Sequence, residues 1–196
     1  MKKVVLASAL LLSMSSVQAA ESIRWDSASL SYQAVDVVGD KLDGFGFTGT
    51  NLLDENFFVA GSYSSVSYNI SPYGSYSSEV EIDVNAFSLG LGYRHAFSSS
   101  TDLFGVFSYQ GIDVEPSFQG ILQDENGYGL QTGVRSLVSE NIELGASISY
   151  VDIADESETG FDISVMYHFA KQFSAAVGYG KSDDVDTLSL SAVFFF

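Results

Sequence analysis

The chain has 196 residues, no cysteine, and 25 acidic against 8 basic residues for a net charge of −17, with 46% apolar and 14% aromatic content. That length fits one domain, and the apolar fraction excludes a disordered acidic chain. The few scattered Lys and Arg exclude a nucleic-acid binder, and the lack of Cys excludes disulfides, thiolate chemistry and a lipidated junction.

The chain opens on a targeting signal. Lys2 and Lys3 form a positive start, Val4 to Met14 an apolar stretch, and Ser15 to Ala19 a small, polar end closing on Val17-Gln18-Ala19. This predicts a secretory signal over 1–19, cut after Ala19. Its apolar core is about half the roughly 20 residues that a membrane-spanning helix needs. The mature domain is then 20–196, and losing the two lysines takes its net charge to −19.

From there the pattern has a period of two, and no stretch sustains a period of 3.6. Phe87, Leu89, Leu91 and Tyr93 alternate with Ser88, Gly90, Gly92 and Arg94, and Phe161, Ile163, Val165, Tyr167 and Phe169 with Asp162, Ser164, Met166 and His168. Such alternation is that of strands with one apolar face. It predicts ten, at 25–36, 44–53, 57–68, 80–95, 101–113, 127–136, 141–151, 159–169, 172–181 and 186–196. Connections alternate between short turns and mostly longer, acidic loops, as in an antiparallel up-and-down transmembrane β-barrel. Gly44-Phe45-Gly46-Phe47-Thr48-Gly49 has dinucleotide-motif spacing but no following helix, so its glycines belong to a strand.

Volume settles which face points outward. An eight-stranded barrel has an interior just filled by side chains, so the bulky face of ten strands cannot all fit inside. The large side chains therefore face lipid, and Ser and Gly face a narrow polar lumen. Tyr109, Tyr128, Tyr150 and Tyr179 fall near the outer rim and Tyr93, Tyr167, Phe169 and Phe196 near the inner one, as two aromatic girdles require. The single Trp25 is expected to anchor at the inner interface.

The last strand, Leu188-Ser189-Leu190-Ser191-Ala192-Val193-Phe194-Phe195-Phe196, has apolar Leu188, Leu190, Ala192, Phe194 and Phe196 at every second position and a terminal Phe. It resembles the C-terminal signature of Gram-negative outer-membrane barrels. With the signal and the Leu89-Gly90-Leu91-Gly92-Tyr93-Arg94 strand, the whole mature chain resembles the small outer-membrane β-barrel family, OmpX-like and OmpA-barrel-like. The resemblance implies a cell outer membrane location, extracellular loops, periplasmic termini and reading by the barrel assembly machinery. It also implies eight strands as the alternative to the ten counted.

Candidate site residues are few. Arg94 with Asp102, and Arg135 with Glu143, sit symmetrically about short turns on the lumen face, so each pair is expected to meet across a hairpin and either to satisfy itself or to gate the inner mouth. A catalytic or metal-binding pair of histidines is not expected, because His95 and His168 have opposite parity at the inner end. Most carboxylates gather toward the outer loops. They read as a solvated surface, with divalent cations bridging them to lipopolysaccharide as the alternative; no dedicated cofactor or metal is expected.

The sequence thus favours a monomeric integral barrel in contact with outer-membrane lipid and lipopolysaccharide. Its expected role is structural or surface-exposed: envelope integrity, adhesion or contact with an extracellular ligand through acidic loops. A narrow cation-favouring, porin-like channel is the alternative. An outer-membrane enzyme is the least favoured.

Overall fold

The computed structural model describes residues 23–37, 40–70, 80–116, 123–154 and 156–196. The expected signal at 1–19 lies outside them. Ten strands form a single closed barrel: β1 (Ser27–Val37), β2 (Asp40–Leu52), β3 (Phe57–Ile70), β4 (Val80–Ser98), β5 (Thr101–Pro116), β6 (Gln123–Ser139), β7 (Ile142–Ile153), β8 (Glu156–His168), β9 (Phe173–Ser182) and β10 (Val185–Phe195). Every strand pairs antiparallel with its sequence neighbours, and β1 closes on β10 from Ser27 opposite Phe195 to Val37 opposite Val185. Closure leaves no strand edge unpaired. The count is ten, not eight.

Alternation holds around the wall. Leu30, Phe47, Leu89, Phe107, Leu130, Ile148, Ile163, Val177 and Leu190 are exposed on the outer face, while Ser29, Ser31, Thr48, Ser108, Ser149 and Ser191 are buried on the lumen face. Over the middle of the wall the strands thus keep small polar residues inside and bulky ones outside.

Strand ends differ from the sequence reading. At the end distal to the termini β5 runs to Pro116, β6 starts at Gln123, β7 runs to Ile153 and β8 starts at Glu156, so β7 and β8 join through residues 154–155 alone. Toward this end of the barrel the polarity of the two faces inverts. Val35, Val37, Leu42, Val66, Val84, Ile112, Val151, Ile153 and Val185 turn inward and form one apolar cluster. On the alternate positions Asp36, Asp43, Asp83, Asp113, Asp152 and Asp186 turn outward. There the chain behaves as a soluble barrel, greasy inside and charged outside. Of these aspartates, Asp43 and Asp152, which the sequence reading left in loops, are in fact strand.

Turns follow from local chemistry. Ala154 (φ 56°) and Asp183 (φ 44°) adopt the left-handed backbone of tight hairpins. At the opposite end Asp54 accepts hydrogen bonds from the Asn56 and Phe57 amides, each at 2.7 Å, which fixes the β2–β3 turn. These bonds hold its carboxyl below the usual carboxylate range.

Candidate functional site

The charged residues singled out in the sequence converge in the lumen at the short-turn end. β5 and β6 set Asp102 directly opposite Arg135, whereas Arg94 stands opposite Phe104 and Glu143 opposite Leu137. Both expected pairs therefore meet on the diagonal. Arg94 Nη1 lies 3.1 Å from Asp102 Oδ2, and Arg135 Nε lies 2.7 Å from Glu143 Oε1.

Trp25 corrects the sequence reading. It is not an interface anchor, because its side chain is 0% exposed. Its parity is that of Ser27, Ser29 and Ser31, all lumen-facing, and this signal was present in the sequence. From two residues before β1 the indole reaches to β5, where Nε1 donates to Asp102 Oδ2 at 2.7 Å. Its ring packs against Phe58 at 4.4 Å and edge-on to Phe104 at 5.7 Å, and the Arg135 guanidinium lies 4.5 Å from its centroid. Asp102 thus receives hydrogen bonds from both Arg94 and Trp25, and Arg135 is held by a carboxylate and an aromatic face.

The network continues on the other side. His168 Nε2 lies 3.7 Å from Glu143 Oε2, and His168 Nδ1 shares a 2.8 Å hydrogen bond with Ser174 Oγ. A Ser, a His and a Glu in line suggest nucleophilic chemistry, but the geometry opposes it. Ser174 and Glu143 are 1% and 2% exposed, and Glu143 is committed to Arg135. No substrate bond reaches that hydroxyl. Among the described residues, no three His, Asp or Glu side chains are grouped as metal ligands, and His95 stands on the exposed outer side, away from His168.

Aromatics that the sequence reading did not place inside complete the plug. Phe58, Phe104 and Phe195 are buried in the lumen with Ile23, Met166 and Val193. Glycines on adjoining strands make room for them: a Cβ at Gly133 would lie 2.6 Å from Phe104 Cζ, and one at Gly92 would collide with the Phe58 ring. The signal was parity along each strand: Phe104 matches Asp102 rather than the outward Phe107, and Phe58 matches the buried Ser64 rather than the exposed Phe57.

The outer-face residues lie where alternation put them. Tyr109, Tyr128 and Tyr179 stand toward the long-connection end with Tyr150, and Tyr93, Tyr167, Phe169 and Phe196 toward the short-turn end. Tyr150 Oη donates to Asp152 at 3.1 Å and Tyr128 Oη to the same carboxylate at 3.5 Å. Tyr179 Oη donates to Asp186, which also pairs with Lys181 Nζ at 3.0 Å. Each of these tyrosines meets the first outward carboxylate beyond the apolar band. Leu188, Leu190, Ala192, Phe194 and Phe196 all point outward.

Residues 4–169 match the family model described as outer membrane protein beta-barrel domain. Among solved structures the NanC porin is similar, with a TM-score of 0.53 at 8% identity over 85% of this chain and 99% of that one. An outer-membrane channel from Pseudomonas putida F1 gives 0.53 at 12% identity over 90% and 97%. The translocator domain of the autotransporter NalP from Neisseria meningitidis gives 0.51 at 12% identity over 87% and 87%. At these identities the likeness is one of fold. No curated protein matches the chain.

Proposed function

Because the chain belongs to the outer membrane protein beta-barrel domain family, and so to the Gram-negative outer membrane, we propose that it is a monomeric, non-enzymatic barrel with a closed lumen. Its role on this reading is structural or surface-exposed. The observation that carries it is the plug: Trp25, Arg135, Glu143, Phe58 and Phe195, among the largest side chains of the lumen, are fully buried across its short-turn end. A pore would need water there.

The short turns and both termini face the periplasm in this reading, and the acidic end with connections 71–79 and 117–122 faces outward. There the carboxylates meet lipopolysaccharide phosphates through divalent cations or contact an extracellular partner. The outward Leu188, Leu190, Ala192, Phe194 and Phe196 form the strand that the assembly machinery reads. Phe196→Ala is expected to lower the amount of folded, heat-modifiable protein in outer membranes; an unchanged amount argues against that role.

Planar-bilayer recording of the refolded mature chain tests the closed lumen. Wild type is expected to give no discrete conductance. Steady cation-selective steps from wild type would replace this reading with that of a narrow channel.

A further inference from the structure

Between its two apolar ends the lumen changes character. An eight-stranded interior is just filled by side chains, whereas this barrel has ten strands and lines its waist mainly with Ser, Gly and Gln. Gln110, Gln131, Ser147, Asp162, Ser164 and Ser189 are only partly buried there, although the clusters above and below are closed. The barrel therefore encloses a polar chamber.

One carboxylate lines it. Asp162 stands directly opposite Ser147 on β7 and Gly180 on β9. Ser147 Oγ donates to its Oδ2 at a long 3.5 Å, and Gln131 Nε2 donates to Ser147 Oγ at 2.9 Å. Oδ1 leans over Gly180, where a Cβ would lie 2.6 Å away. Among the described residues no ion pair reaches Asp162, and the lumen guanidinium of Arg135 is taken by Glu143. An isolated charge at membrane depth is costly unless a proton or a counter-charge neutralises it.

A second observation is independent of the carboxylate. Gln33 Oε1 and Ser149 Oγ, on residues 2% and 6% exposed, have no hydrogen-bond partner in the protein. Both lie on the lumen face at this level, and Ser149 is the next inward residue after Ser147. Leaving such buried oxygens unpaired is costly. A ligand that accepts several oxygen donors removes that cost.

We propose that the chamber is a binding site for one monovalent inorganic cation. Asp162 supplies the charge, and the oxygens of Ser147, Ser149 and the waist glutamines supply neutral ligands. The donors are all hard oxygens, and one carboxylate balances one positive charge, whereas calcium sites gather several.

Thermal unfolding of the refolded mature barrel in detergent, at equal ionic strength of sodium, potassium or choline chloride, tests this. Sodium or potassium is expected to raise the wild-type midpoint by roughly 3 °C over choline. Asp162→Asn is expected to abolish the difference, and Asp184→Asn, in an exposed turn, to keep it. Rubidium-soaked crystals should show an anomalous peak against the Asp162 carboxylate. Equal midpoints in all three salts, a full response from Asp162→Asn, or no rubidium peak at Asp162 would each overturn the proposal.

Discussion

Trp25 and Arg135 hold the plug together through contacts of different physical kinds. The indole contributes area and one donor, and the guanidinium neutralises a buried carboxylate and stacks on the ring. Desolvating such an ion pair offsets most of its attraction, so the intact pair adds little, but removing one member strands the other. Arg135→Met is therefore expected to destabilise the barrel by about 3–5 kcal/mol. Arg135→Met with Glu143→Leu should recover most of that loss. Urea unfolding in lipid vesicles, followed through emission of Trp25, the only tryptophan, gives both values. A double variant no better than the single one would show that the guanidinium acts through packing instead.

Asp54 carries the pH dependence of the β2–β3 turn. Its folded carboxyl lies below the unfolded value because the Phe57 and Asn56 amides favour the anion. Its stabilisation is therefore complete above the unfolded pKa of about 3.9 and disappears as pH falls through the lower folded value. Asp54→Ala should lower the urea midpoint at neutral pH and converge with wild type in strong acid. A gap that persists in acid would mean that the turn depends on something other than the ionised carboxyl.

At the scale of elements, the period of two was legible wherever a strand had a bulky and a small face, and it gave the number of strands and the orientation of each. It failed at the distal ends for a physical reason. The reading assumed one apolar face per strand throughout, but Tyr150-Val151-Asp152-Ile153 continues the alternation with its faces exchanged. Trp25, Phe58 and Phe104 were missed on the same grounds, since bulky residues were assigned outward by size and not by parity. The charge pairs were legible as neighbours across turns. Their diagonal register was not, because the bulges between Ala96 and Ser98 and between Leu137 and Ser139 shift the pairing beside both turns. Two substitutions test element geometry. Ala154→Gly relieves a left-handed alanine and should leave stability unchanged or raise it by up to about 1 kcal/mol. Gly92→Ala displaces the Phe58 ring and should lower stability by about 1–3 kcal/mol, both read by the same urea titration.

The whole barrel is taller on one side. β4, β5 and β6 have 19, 16 and 17 residues, against 10 and 11 for β9 and β10. The two longer connections, 71–79 and 117–122, join strands of this tall wall, β3 to β4 and β5 to β6.

The exchange of faces also sets a depth gauge. Every strand except β3 and β9 carries an apolar stretch that tolerates only hydrocarbon on its outside and, beyond it, acidic residues that tolerate only water, with tyrosine hydroxyls at the boundary. Sliding the barrel along the membrane normal by two residues, roughly 5 Å after strand tilt, would drag Asp152 and Asp186 into the acyl chains or lift Ile148 and Leu188 out of them. The protein therefore fixes its own immersion, and a bilayer of different thickness must stretch or thin to meet it.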